Sequence, residues 1–225
     1  MSDVRAHLLP VYVVVDESGS MAPYLDRLSE GLTSLHEALL AEPATAAKVR
    51  VSVFGFSSDV AIRLHLADLR RMAEMPPLMS RGPTNYSAAF AILLHQIPRD
   101  VDQLIRRGYA VHRPAVVFLS DGQPTDGEHW REIHRRLTDR TRRPAAPNII
   151  ACGIGDAWPE NILDIATAPE FAFVSIAGSD IGATVAKFCT ALTRSIVESG
   201  RTVGDDVPAL VFDRPDGFRM AIDVL

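Results

Sequence analysis

The sequence predicts an α/β fold: a doubly wound, Rossmann-like, mostly parallel sheet with one antiparallel edge strand and helices on both faces. Three observations predict it. The runs 11–15, 115–119 and 149–154 are apolar throughout and rich in β-branched residues, as strands buried on both faces are. Stretches with apolar residues at helical spacing alternate with them, the order that builds a parallel sheet. Arg50–Phe56 and Val60–Leu66 are separated only by Ser57-Ser58-Asp59. So short a connection makes a hairpin, and hence an antiparallel strand at the sheet edge.

The first strand, around Val11-Tyr-Val-Val-Val15, stops abruptly at Asp16-Glu-Ser18-Gly-Ser20. A helix over about 22–41 follows, with Leu25, Leu28, Leu32, Leu35 and Leu39 on one face and Pro23 near its first turn, where proline is tolerated. After the hairpin, residues 67–83 read as irregular, with Pro76, Pro77, Gly82 and Pro83. Thr84-Asn85-Tyr86-Ser87 starts a helix to about Ile97. Pro98 is expected to interrupt it, with 99–107 as a second helical piece. Residues 114–120 form a buried strand ending at Ser120-Asp121-Gly122, followed by a helix over about 126–141. A third buried strand spans 148–155, a short helix 160–166 and a further strand 171–176. Ser179 or Asp180 caps a helix to about Glu198, with Val185, Phe188, Cys189, Leu192 and Ile196 facing the core. The domain thus runs over 9–199. In the tail, 200–225, Ala209–Phe212 and Phe218–Leu225 flank Asp213-Arg-Pro-Asp-Gly217, a hairpin signal that folds onto the body or offers an edge to a partner.

Composition narrows the function. A chain of 225 residues, 47% hydrophobic and 23% charged, is long enough for one domain with a full core. Its net charge of -5 argues against a general nucleic-acid role. Of 23 basic residues only Lys48 and Lys187 are lysine, which we read as genomic bias. Cys152 and Cys189 lie in apolar segments without paired spacing. They read as buried free thiols of a cytoplasmic protein. No signal peptide and no membrane span is expected.

The chemistry concentrates where strands end. Asp16, Ser18 and Ser20 follow the first strand, Asp121 follows the strand at 115–120, and Thr84 stands at a helix start. In a doubly wound sheet the carboxyl ends of neighbouring strands meet at the switch point. Two carboxylates and three hydroxyls can then surround one hard cation, such as Mg²⁺, Mn²⁺ or Ca²⁺. The competing explanation is helix capping, which uses the same residue types.

Asp16-Glu-Ser18-Gly-Ser20, Thr84 and Ser120-Asp121-Gly122 resemble the metal-ion-dependent adhesion site of von Willebrand factor A domains, over residues 9–198. The stretch Ser120-Asp-Gly-Gln-Pro-Thr-Asp126 is similar to that of the bacterial proteins of this family associated with tellurium-resistance clusters. The resemblance implies that Ser18, Ser20 and Thr84 ligate a cation, most simply Mg²⁺, and that Asp16 and Asp121 act directly or through water. It also implies that a partner's Asp or Glu completes the shell. A bacterial stress-response setting with phosphorylation-related partners follows from the same resemblance. Arg81-Gly82-Pro83 departs from the glycine-rich lead-in common in the family, so Thr84 is the member it supports least.

Other residues have plainer expectations. Asp126 reads as a helix cap, Glu17 as solvent-facing at the rim, and His129 and His134 as surface residues. Arg131, Arg135, Arg136, Arg140, Arg142 and Arg143 read as solvated charges near a helix end, with an acidic partner as the alternative. Gly-x-Ser-x-Gly is absent and no His is placed beside Ser18 or Ser20, which argues against a serine nucleophile. No Lys follows Gly19-Ser20, so there is no phosphate-binding Walker loop. Ser18 stands where a phosphatase using Asp16 as nucleophile needs a second acid. The sequence therefore favours binding over catalysis, with an Mg²⁺-dependent phosphoryl-processing enzyme as the alternative.

Overall fold

The structure is a computed structural model that describes residues 5–121, 123–176, 178, 180–203, 212 and 214–224. In chain order its strands are β1 (His7–Asp16), β2 (Val49–Phe56), β3 (Val60–Ala67), β4 (Ala110–Val111), β5 (Ala115–Ser120), β6 (Asn148–Gly153), β7 (Ala172–Ser175) and β8 (Phe218–Met220). Its helices are α1 (Leu25–Leu40), α2 (Pro43–Ala46), α3 (Tyr86–Arg106), α4 (His129–Thr138), α5 (Pro159–Ile165) and α6 (Ile181–Thr202).

The sheet order is β3-β2-β1-β5-β6-β7-β8, with β4 paired to the start of β1. Pairings β1–β2, β1–β5, β5–β6 and β6–β7 are parallel. The hairpin strand β3 is antiparallel to β2, as its three-residue turn requires. A second antiparallel edge, β8 on β7, was not expected. It comes from the tail, where the expected strand over 218–225 is cut to three residues by a 3-10 turn at Ala221–Val224. Residues 209–211, Asp213, Gly122 and Ser179 lie outside the described residues; Asp180 caps α6, its carboxylate accepting from the Ala183 N–H at 3.1 Å.

Alternation along β1 sorts the core into two layers. Val11, Val13 and Val15 face α1 and α6, with Leu28, Leu35, Phe188 and Leu192. Tyr12 and Val14 face the layer of α3, α4 and α5, with Phe90, Trp130 and Ile162. α1 and α6 approach so closely that a Cβ on Gly31 would lie 2.1 Å from Cys189 Sγ. Both cysteines are buried and free.

Two local expectations fail for physical reasons. α3 runs unbroken through Pro98. Proline removes one helical hydrogen bond, but Leu93, Ile97, Asp100 and Leu104 stay buried on one face, so packing holds the helix together. His134 is buried, not superficial. It follows Trp130 by one helical turn and precedes Leu137 by another, on the same inward face. Its ring Nε2 lies 2.8 Å from the Ile165 carbonyl oxygen, and burial lowers its basicity. His129 is exposed as expected.

Candidate metal centre

β1 and β5 are neighbours from which the chain winds in opposite directions, to β2 and to β6. Their carboxyl ends therefore form the switch point at which open α/β sheets take ligands. Asp16 is the last residue of β1 and is fully buried. Its Oδ1 accepts the Ser18 N–H at 2.8 Å, and its Oδ2 accepts the Ser120 hydroxyl at 2.5 Å. The hydroxyls of Ser18 and Thr84 also stabilise its charged form, while burial pushes its carboxyl above the usual carboxylate range.

From Asp16 the cluster continues outward. Ser18 Oγ and Ser20 Oγ are 3.1 Å apart, and Ser20 donates its hydroxyl to Asp121 Oδ1 at 2.9 Å. Asp121 is pushed up to about 6, first by burial and further by the charges of Asp16 and Asp156. Ser18 and Thr84 are buried, Asp121 is half-buried and Ser20 is exposed, so the cluster opens to solvent on the Ser20 side. All five residues expected at the site stand in this one cluster.

The capping explanation can be tested residue by residue. Ser18 occupies the cap position of the 3-10 turn Gly19–Tyr24, yet its side chain makes no capping hydrogen bond. α3 is capped by Asn85, which accepts from Ala88 N–H at 2.8 Å, and by Asp126, which accepts from the N–H groups of Tyr86 and Ser87 at 3.2 and 2.8 Å. Asp126 is thus a cap, but of α3 rather than of the helix that follows it. Thr84 lies before that start, its carbonyl oxygen held by the Thr125 N–H at 2.9 Å and hydroxyl at 2.6 Å. Ser18 and Thr84 are therefore not consumed as caps.

Glu17 corrects the sequence reading most sharply. It does not face solvent; it is fully buried beneath the loop. Arg63 reaches it at 3.1 and 2.9 Å and Arg81 at 2.8 Å, while the Met79 N–H donates to it at 3.1 Å. Arg81 also donates to the Gly55 carbonyl at 2.6 Å and pairs with Asp59. Gly55 leaves the room, since a Cβ there would lie 2.1 Å from Glu17 Cδ. Arg81, the departure from the expected lead-in, is thus what ties the segment before Thr84 to the loop after β1. Ser120 was also given no role of its own. It links the site to the core, accepting from the Tyr86 hydroxyl at 3.0 Å while donating to Asp16. Its place as the last residue of an apolar run was the available signal. Several of the arginines near α4 are paired: Arg131 with Glu128 and Asp164, Arg135 with Glu132, and Arg142 with Asp139 at 3.6 Å.

Two acids and three hydroxyls suit a hard divalent ion. Among the described residues neither Asp16 nor Asp121 is ion-paired, and no group of three or more His, Cys, Asp and Glu side chains is placed to hold a metal. The donor set fits a cation held largely by hydroxyls.

Residues 11–123 match the family model of the von Willebrand factor type A domain. The chain belongs to this family. Solved structures of similar fold include the pilus adhesin SpaC from Lactobacillus rhamnosus GG in its open conformation, at 14% identity and TM-score 0.62 over 88% of this chain and 31% of that one. A von Willebrand factor type A structure from Catenulispora acidiphila is 13% identical, with TM-score 0.54 over 85% of this chain and 43% of that one. Proximal thread matrix protein 1 from the mussel byssus, with a zinc-occupied MIDAS motif, is 14% identical, with TM-score 0.56 over 85% of this chain and 46% of that one. The von Willebrand factor type A chain described here spans less than half the length of each. A comparison with curated proteins gave no match. Among the described residues no helix is long and apolar enough to cross a membrane.

Proposed function

We propose that this von Willebrand factor type A domain is a divalent-metal-dependent protein-interaction module. The observation that carries the reading is the pair of carboxylates, Asp16 and Asp121, bridged by serine hydroxyls without a basic partner among the described residues. Ser18, Ser20 and Thr84 would hold the ion with their hydroxyls, and Asp16 and Asp121 would hold it directly or through water. Mg²⁺ suits this mixed oxygen shell, with Mn²⁺ and Ca²⁺ as close substitutes. Two carboxylates only neutralise a divalent ion, so the ion retains its pull on a third, an Asp or Glu of the partner protein. Family membership supports this, since these domains serve as interaction and adhesion modules. The zinc-occupied MIDAS motif of the byssus protein supports metal binding by this fold.

We further assign the module to the bacterial cytoplasm and to a tellurium-resistance or stress-response system. The support is the Ser120–Asp126 stretch and the buried free thiols. Phosphorylation-related proteins of the same system are the partners this setting suggests.

The test is co-purification from the native host. A partner retained in Mg²⁺, released by EDTA and lost with Asp121→Ala supports the module. Hydrolysis of generic phosphoesters that vanishes in Asp16→Ala would replace binding by catalysis at this site.

A further inference from the structure

The cation reading leaves the opposite end of the sheet without a role. There Arg50 is paired with Pro10, and Val51 with Ala67. Pro10 precedes Asp16 by six residues of β1, roughly 20 Å at the rise of a strand. A cavity of about 510 Å³ opens at this end, between the β2–β3 pair, the 3-10 turn Leu69–Arg71 and the last turns of α3. Arg50, Arg70, Arg71 and Arg107 line it, and among the described residues Asp68 is the one carboxylate that does.

The arginines differ in how they are held. Arg50 is largely buried, its side chain 13% exposed; it donates to the carbonyl oxygens of Ala47 and Val49 at 3.1 and 2.8 Å and comes within 3.8 Å of Asp68. Arg70 forks onto both oxygens of Asp68, at 2.8 and 2.6 Å. Arg71 stands 3.9 Å from the same carboxylate with its side chain 85% exposed. Arg107 is exposed and has no ion pair among the described residues. Two guanidiniums are thus held by hydrogen bonds, and those of Arg71 and Arg107 are exposed. One carboxylate against four guanidiniums leaves three positive charges in excess.

The backbone supports a built site. Leu66, on the cavity wall, has φ 43°, the left-handed region that a leucine rarely enters. Its N–H is held by Ser52 Oγ at 2.9 Å, and the β2–β3 register shifts beside it. Such conformations persist where the surroundings impose them and cluster at functional sites. Gln103 and Tyr109 add neutral polar groups, and Met72 adds apolar surface.

We propose that this cavity binds an organic phosphomonoester dianion. Guanidinium forks match phosphate oxygens in geometry as well as charge. The volume is that of a small-molecule site and exceeds what a bare phosphate fills, so the rest of the ligand is organic. A phosphorylated metabolite and a phosphorylated side chain of a partner share this chemistry. The site is independent of the cation cluster.

Titration calorimetry on the whole chain tests it, with adenosine 5′-monophosphate and a phosphoserine peptide as probes and their unphosphorylated counterparts as controls. Binding of at least one phosphorylated probe, but neither control, is expected. Arg71→Ala and Arg107→Ala, both at exposed positions that the fold does not need, should each weaken it about tenfold. Arg135→Ala, at an exposed position outside the cavity, should leave it unchanged. Preference for the nucleotide assigns a metabolite, and preference for the peptide assigns a phosphorylated partner. Absence of binding by both probes, or affinity indifferent to Arg71→Ala and Arg107→Ala, overturns the proposal.

Discussion

Asp16 and Asp121 carry a cost in the metal-free protein that sets their pH behaviour. Asp121 sits at about 6 against an ordinary 3.8, mainly through burial, and Asp16 is shifted in the same direction for the same reason. Between about pH 4 and pH 6 the folded chain keeps protons that the unfolded chain has released, so stability in EDTA falls as pH rises through that window. A cation that needs ionised carboxylates competes with those protons. The gap between melting curves in Mg²⁺ and EDTA should therefore widen from about pH 5 to pH 7. Glu17 gives a second residue-scale prediction. Glu17→Ala leaves Arg63 and Arg81 without their shared buried carboxylate and should lower stability by about 3 kcal/mol, read by urea unfolding. The pairing of Glu17 was not legible in the sequence. Its partners lie 46 and 64 positions away, and only the tertiary fold brings them to it, Arg63 from β3 and Arg81 from the segment before Thr84. Local spacing pointed to the five oxygen-bearing residues of the cluster; it carried no signal for the carboxylate beside them.

The elements were legible where their signals are local. Apolar runs marked β1, β5 and β6, and leucine spacing marked α1. α3 shows where such signals fail: a proline rule was overridden by the apolar face that α3 lays on the sheet. Pro98→Ala restores a helical N–H for the Leu94 carbonyl without disturbing that face. It should raise stability by about 1 kcal/mol or more, measured as a higher urea midpoint with an unchanged slope. α4 carries the same lesson. His134 was assigned to the surface by residue type, whereas its spacing from Trp130 and Leu137 already placed it inside.

At the scale of the whole molecule, Phe218–Met220 of the tail is part of the sheet. Phe218 on β8 is buried, its ring centroid 6.1 Å from that of Phe188 on α6, and Phe212 lies 5.6 Å from Phe173 on β7. Phe218→Ala should therefore cost about 3 kcal/mol, read by urea unfolding. A tail that only hung from the domain would make the change silent. The sequence marked this segment as strand-forming but could not choose its neighbour, because a three-residue strand carries too little pattern to select a partner. The topology that joins β8 to one edge also puts β1 beside β5, and so gathers Asp16, Ser18, Ser20, Thr84 and Asp121 from three separate stretches of chain. That these residues together hold a divalent ion is the central claim, and metal-linked melting tests it most directly. At a hundredfold excess over Kd, Mg²⁺ or Mn²⁺ should raise the melting temperature of the wild type by roughly 5–10 °C relative to EDTA. It should leave Asp16→Ala and Asp121→Ala unmoved. No shift with saturating Mg²⁺, Mn²⁺ or Ca²⁺, or an equal shift in the two variants, would contradict it.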